Sequence, residues 1–344
     1  MKKLIDKLEK EHFLSKNEYV CLIENFENVR EYAAKKARTI CERVYGRDIY
    51  IRGLIEISSF CRNDCIYCGI RRSNKNAQRY RLSKEEILEC CDIGYNLGFR
   101  TFVLQGGEDK FYTDEIIADI VRSIKKKYAD CAVTLSLGEF PTESYALFKK
   151  AGADRYLLRH ETADKTHYEK LHPKEMSFEN RMRCLRDLKN LGYQVGCGMM
   201  IGSPYQTAES LAEDMMFIQS FKPHMIGMGP FIPQHDTPFG NEKGGSVEMT
   251  LFMISLVRLA LPNALIPATT ALGTLDPLGR EKGAEAGANV TMPNLSPVSV
   301  RKKYALYDNK ICTGEEAAEC LGCLMNRFGK VDRQIVFSRG DYKK

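Results

Sequence analysis

From Arg52 to Thr291 the chain alternates between short apolar runs and amphipathic stretches, a pattern that restricts it to a parallel α/β architecture. Strand-like segments fall at Gly53–Ile57, Thr101–Leu104, Ala132–Leu135, Asp154–Leu158, Gln194–Met200, Met225–Met228, Leu265–Ala268 and Ala288–Thr291. Helical periodicity fills the gaps at Lys84–Leu97, Asp114–Lys127, Glu143–Lys149, Phe178–Leu191, Ala208–Ser220, Glu248–Leu259 and Pro277–Glu285. Ser83 followed by Glu86 spells a capping box, and Ser177 with Asn180 a weaker form of it. Gly98, Gly152 and Gly192 stand where a helix stops before the next strand. Eight strands with intervening helices predict a complete (βα)8 TIM barrel rather than an open doubly wound sheet. An open nucleotide-binding sheet would want G-x-G-x-x-G after its first strand. The nearest set, Gly196-x-Gly198-x3-Gly202, has other spacing and belongs to the fifth strand. Residues 1–48 read as an N-terminal helical cap, 49–300 as the barrel and 301–344 as a C-terminal extension.

Several function classes drop out on composition. No apolar run approaches the roughly 20 residues a membrane helix needs, so no membrane partner is expected. Met1-Lys-Lys-Leu leads into a polar helix rather than an apolar export signal, which points to a cytoplasmic location. The formal charge of +6 is dispersed. Lys125–Lys127 and Arg301–Lys303 are short basic runs on solvated faces, with no aromatic interleaving that would suggest nucleic acid. Thirteen cysteines in such a chain suit a reducing compartment and argue against disulfides.

Three of those cysteines carry chemistry. Cys61, Cys65 and Cys68 lie in Cys-Arg-Asn-Asp-Cys-Ile-Tyr-Cys-Gly, directly after the first strand. Three thiolates in this spacing can hold three corners of a 4Fe-4S cluster, and with no fourth cysteine nearby one iron stays open to a small molecule. A zinc site would want four ligands in paired arms, which this segment lacks. In a parallel barrel the catalytic groups gather at the C-terminal ends of strands, where this triplet falls.

Other strand ends supply polar groups to the same mouth. After the second strand comes Gln105-Gly106-Gly107-Glu108, where two glycines admit a ligand close to the backbone and Glu108 can face an ammonium. On the third, Thr134, Ser136 and Gly138 share a face, with Ser136 the candidate for a ribose or carboxylate. On the fourth, Arg155, Arg159 and Glu161 share a face. The arginines are expected to meet substrate anions and Glu161 a ribose or amine, unless Arg159 and Glu161 simply pair. Thr269 and Thr270 end the seventh strand, as an anion site or equally as a helix cap. His160, His167, His172, His224 and His235 show no metal-ligand spacing. Cys312-x7-Cys320-x2-Cys323 could hold a second iron–sulfur cluster, 2Fe-2S or 4Fe-4S, or a structural zinc with a remote ligand.

The C-x3-C-x-Tyr-C run resembles the signature of the radical S-adenosylmethionine (SAM) enzymes. Over nearly the whole chain the sequence is similar to the HydE family of FeFe-hydrogenase maturases. The similarity rests on segments 61–72, 103–109, 134–139, 153–162, 229–233, 266–271 and 288–294 and on the C-terminal thiols. The resemblance implies that SAM is chelated by the open iron and reductively cleaved to a 5′-deoxyadenosyl radical. It places Tyr67 against the adenine, Gly106, Gly107 and Glu108 at the methionine amino group with Gln105 beside them, and Arg181 at the methionine carboxylate. It further implies an internal cavity for an anionic or organometallic substrate, lined by Thr134, Arg155, Arg159, Thr269, Thr270 and Tyr304. The implied task is assembly of the di-iron subcluster (H-cluster), alongside the maturases HydG and HydF and a reductant such as ferredoxin or flavodoxin. A methylornithine synthase or biotin synthase-like enzyme is the nearest alternative, and a non-catalytic iron–sulfur carrier a more distant one.

Overall fold

The computed structural model describes residues 1–314 and 321–343. Its centre is a parallel sheet in the order β2 (Gly53–Ser58), β3 (Thr101–Gly106), β4 (Ala132–Ser136), β5 (Arg155–Leu157), β6 (Gln194–Cys197) and β8 (Met225–Ile226). Parallel pairing continues as single bridges beyond β8, from Met225 to Leu265, from Pro267 to Val290, and from Asn294 back to Leu54 on the first strand. Backbone bonds accompany each bridge: Ile226 N to Leu265 O (3.0 Å), Ala268 N to Val290 O (2.9 Å) and Leu54 N to Pro293 O (2.9 Å).

Alternation along the strands sorts side chains to two faces. Ile55, Ile57, Phe102, Leu104, Val133 and Leu135 join the core under the surrounding helices. Their neighbours Leu54, Glu56, Val103, Gln105, Thr134 and Ser136 turn to the other face, which is therefore partly polar.

The expected helices form nearly where the periodicity placed them: α4 (Lys84–Asn96), α5 (Asp114–Lys127), α6 (Thr142–Ala151), α8 (Phe178–Asn190), α9 (Ala208–Phe221), α10 (Val247–Ala260) and α12 (Gly279–Glu285). Ser83 and Glu86 bond reciprocally as a capping box, whereas Ser177 caps without a return bond. Gly152 ends α6 at φ 112°, a conformation in which a Cβ would be strained. Two further short helices, α7 (Lys165–Leu171) and α11 (Thr270–Leu275), lack the length for a periodic signal. The N-terminal helices α1 (Lys2–Glu11), α2 (Lys16–Glu24) and α3 (Arg30–Tyr45) pack on α9 and α10 through Leu8, Tyr19, Leu22 and Ala37.

At the N-terminal ends of the strands a second sheet forms, with β1 (Asp48–Ile51) between β10 (Val290–Thr291) and β11 (Gln334–Val336). The C-terminal tail then crosses this end. Here the structure corrects one expectation. Arg155 is the first residue of its strand, fully buried, and donates to Thr101 Oγ1 (3.1 Å), Arg339 O (2.7 Å) and Asp341 Oδ1 (2.6 Å). It therefore faces away from the mouth: a period of two fixes the face of a strand residue, but not its depth along the barrel axis. Burial acts to raise the Asp341 carboxyl, but the hydrogen bond from Arg339 and the charge of Arg155 outweigh it and hold the group well below its ordinary 3.8. A depressed carboxylate stabilises the fold above its unfolded value, and that contribution is lost as pH falls through the folded value. Asp341→Ala is expected to lower stability by about 1–3 kcal/mol at pH 7. The deficit should shrink below about pH 3, as read by thermal unfolding at both pH values.

Candidate active site at the C-terminal mouth

Cys61, Cys65 and Cys68 occupy the loop that leaves β2, and a set of side chains fixes that loop. The Arg79 guanidinium donates to the carbonyls of Ser59 (2.5 Å), Ile70 (2.8 Å), Arg71 (2.6 Å) and Asn74 (3.2 Å). Asp64 accepts from Arg71 Nε (2.7 Å), Ser73 N (3.1 Å) and Ser73 Oγ (2.8 Å). Gly69 N donates to Leu306 O (2.9 Å), tying the loop to the segment that follows α13 (Val298–Arg301). Gly107 passes so close that a Cβ there would lie 2.7 Å from Cys61 Cβ and 2.2 Å from Phe60 O.

Burial pushes all three thiols up, Cys68 to about 12. Such thiols become good ligands only when a cation offsets the desolvated thiolate charge. Among the described residues no three His, Cys, Asp or Glu side chains converge as a single-ion site would require. In a cubane, by contrast, each thiolate meets its own iron, and three thiols spread along one fixed loop fit that donor set.

Around the mouth runs a connected ionic chain. Arg62 donates to Glu108 Oε2 (2.9 Å), whose Oε1 accepts from Glu139 N (2.9 Å). Glu139 binds Arg181 Nε and Asn180 Nδ2, each at 2.5 Å. Arg181 also donates to Arg159 O (2.5 Å), and Arg159 Nη2 lies 3.1 Å from Glu161 Oε2. The Glu108 carboxylate thus carries one hydrogen bond on each oxygen and keeps acceptor positions for an ammonium. Glu108 also lies on Gly138, where a Cβ would come 2.1 Å from its Cγ. Arg181 is buried, not the helix-surface arginine its sequence position alone suggests.

The pairing of Arg159 with Glu161 is misaligned. Arg159 Nε and Glu161 Oε2 remain buried without a hydrogen-bond partner. Glu161 also holds φ at 65°, unusual for a residue with a side chain, and is fixed by Glu161 N to Gly198 O (3.0 Å) and Met200 N to Glu161 O (3.1 Å). Two orphaned polar atoms beside the thiol loop are groups a polar ligand would satisfy.

Tyr67 packs in an apolar cluster with Met200 and Phe231, its ring edge-on to His172 at 5.7 Å. His172 Nδ1 donates to Tyr168 O (3.0 Å), leaving Nε2 to accept from the Tyr67 hydroxyl (3.4 Å).

The sequence relationships agree with this geometry. Residues 55–218 match the family model of the Radical SAM superfamily. The "[FeFe] hydrogenase maturase subunit HydE" of Thermotoga maritima is 46% identical over 333 residues, 97% of this chain and 95% of that one. The chain belongs to the HydE family of radical SAM enzymes. A 3-methylornithine synthase of Methanosarcina acetivorans is 30% identical over 282 residues, 81% of this chain and 78% of the relative. Among solved structures, methylornithine synthase superposes with TM-score 0.84 at 26% identity, covering 97% of both chains. HydG superposes with TM-score 0.81 at 20% identity, covering 97% of this chain and 75% of that one, a likeness of fold.

For a HydE-family chain the interior beneath the thiol loop matters next. Tyr304 is buried and its hydroxyl lies 3.4 Å from Gln105 Nε2. Thr134 keeps a buried hydroxyl with no partner, and Ser136 is half-buried above it. Thr269 caps α11 by accepting from Leu272 N (3.5 Å), with Thr270 the first residue of that helix; the cap reading holds for Thr269.

Sequence reasoning passed over Glu56, although it shares the inward face with Ser58 and is a charge in an apolar strand. It is buried, paired with Lys310 (2.5 Å) and bonded to Asn294 Nδ2 (2.8 Å). Lys310 and Glu139 had no local signal, since only tertiary contacts bring them here.

The C-terminal thiols are less defined. Cys312 Sγ accepts from Arg280 Nη2 (2.9 Å), Cys323 is exposed on α14 (Leu321–Gly329), and Cys320 lies outside the described residues. All described cysteines are free thiols.

His172 gives a pH test. Burial, reinforced by Arg181, pushes its pKa down to about 3, so the folded imidazole stays neutral where the unfolded one protonates. The unfolded state then binds more protons between about pH 6.5 and pH 3, and stability falls as pH falls through that window. The slope from this group is about 1.4 kcal/mol per pH unit. His172→Gln should flatten it, as measured by denaturant unfolding at pH 5 and 7.5.

Proposed function

We propose that the chain reductively cleaves SAM at a 4Fe-4S cluster held by Cys61, Cys65 and Cys68, and so serves assembly of the di-iron subcluster of FeFe hydrogenase. The observation that carries this reading is the fixed loop of three half-buried thiols beside orphaned polar atoms at the C-terminal mouth. When bound, the cluster supplies the electron that breaks the sulfonium's C–S bond, giving methionine and a 5′-deoxyadenosyl radical. The chain's own groups bind and orient. Glu161 would accept hydrogen bonds from ribose or amine, Ser136 would bond the ribose or carboxylate, Tyr67 would lie along the adenine, and Arg181 would add charge near the methionine carboxylate. The Gln105-Gly106-Gly107-Glu108 turn would close over the amino end, with Glu108 accepting from the amino group while it also orders Arg62.

The single bridges at Leu54–Asn294, Met225–Leu265 and Pro267–Val290 support reading the sheet as a complete (βα)8 barrel, with residues 1–48 as a cap and 301–344 as an extension. Inside it, Thr134, Arg159, Thr269, Thr270 and Tyr304 would meet an anionic or organometallic substrate. HydG and HydF are the partners this role requires, with ferredoxin or flavodoxin as reductant. No described helix is long and apolar enough to cross a membrane, which suits a cytoplasmic setting. A second iron–sulfur cluster on Cys312, Cys320 and Cys323 is the matching reading of the tail.

Reconstituted protein under dithionite is expected to release 5′-deoxyadenosine from SAM, assayed by chromatography. Cys65→Ala should abolish release, whereas Cys323→Ala should retain most of it. Intact SAM after prolonged incubation of the wild type would contradict the reading.

A further inference from the structure

Reductive cleavage consumes one electron per SAM, and no group described in the chain can donate it, so a one-electron carrier must reach the thiol loop. The inference below rests on the proposed function. A cavity of about 420 Å³ opens on the outer side of that loop. Gly69, the residue after Cys68, lines it, together with Asn76, Gln78, His235, Lys302 and Lys303. An occupant seated there stands one peptide from a cluster ligand.

The charges around this cavity are lopsided. Lys302, Lys303, Arg72 and Lys75 have no acidic partner among the described residues; Arg72, Lys75 and Lys302 are exposed and Lys303 is half-buried. These four cations outnumber the neighbouring carboxylates without a Lys or Arg partner, Asp236 in the cavity wall and Asp308 beside it. Asp64 is held by Arg71 (2.7 Å), Asp236 accepts from Asn76 Nδ2 (2.7 Å), and Asp308 accepts from His235 (2.8 Å). The Asp308 hydrogen bond raises the His235 pKa, adding positive character to the rim. The cavity walls are also firm: Gly69 N bonds to Leu306 O (2.9 Å) and Asp308 N to Pro233 O (3.0 Å).

We infer that this cavity, with Lys302 and Lys303 in its wall and Arg72 and Lys75 on the adjoining stretch of chain, is the docking surface for an acidic one-electron carrier protein. The carrier presents carboxylates to Lys302, Lys303, Arg72 and Lys75 and inserts a loop tip over Gly69. It gives up one electron, which ends in the cleaved C–S bond. Complementary charge of this kind mainly accelerates encounter and is screened by salt.

The test uses holoenzyme and an acidic flavodoxin, with binding followed by calorimetric titration. Wild type should bind at low ionic strength and lose affinity toward about 0.15 M salt. The double variant Lys302→Glu/Lys303→Glu should bind at least about tenfold more weakly. Its thermal unfolding and its dithionite-driven SAM cleavage should be unchanged. Lys35→Glu, a single charge reversal at an exposed position of α3, should keep wild-type affinity. No binding by the wild type, an unaltered affinity in the double variant, or an equal loss in Lys35→Glu each overturns the docking surface. Failure of dithionite-driven cleavage in the wild type would instead overturn the proposed function, and the titration reads independently of it.

Discussion

Arg79 is the interaction on which the active site depends. One guanidinium, planar and rich in donors, gathers four carbonyls from both ends of the Ser59–Asn74 loop. A loop of that length without helix or strand has no ladder to satisfy its backbone, and its conformation would otherwise be entropically costly to fix. Burial lowers the charge stability of this arginine, with the Cys61 and Cys68 side chains acting the other way. The same cation thus shapes the loop and favours negative charge on two of the three thiols. Cluster binding and loop order are coupled through it.

The two ends of the barrel show how one fold separates stability from chemistry. At the N-terminal end Arg155 is saturated, meeting Thr101, Arg339 and Asp341 in a closed, fully bonded set. At the C-terminal end Arg159 and Glu161, two and three repeats of the two-residue strand pattern later, face each other but leave Nε and Oε2 unbonded. Buried charge left unsatisfied is costly, and it persists when neighbouring contacts over-determine the geometry. Here Glu139, Arg181 and the left-handed backbone of Glu161 supply that constraint. The mouth is held open to a polar ligand by the same contacts that prevent it from collapsing.

Much of this was legible in the sequence, for identifiable reasons. Helix positions followed from periodicity and from caps such as Ser83–Glu86, because those signals are local. The thiol triplet declared itself by spacing, and its place at a strand end followed from the alternation. Arg155 was misplaced because alternation tells the face of a residue and says nothing of which end of the strand begins there. Arg181 and Glu108 were expected at the mouth, whereas their partners Glu139 and Arg62 come from other loops, and no local pattern links them. Lys310 reaches Glu56 across 254 positions, and His172 meets Tyr67 across 105. Such contacts are products of topology, invisible until the chain is folded.

The central claim is that one iron of the N-terminal cluster has no ligand from the chain and is met by the amino-acid end of SAM. Pulsed EPR on the reduced holoprotein, with SAM carrying 15N in its methionine amino group, addresses this directly. The account predicts a shifted cluster spectrum and a resolved 15N hyperfine coupling that gives way to a 14N coupling with unlabelled SAM and is absent without SAM. An unshifted spectrum with no coupling would mean that a side chain closes that vertex, and the account would fail.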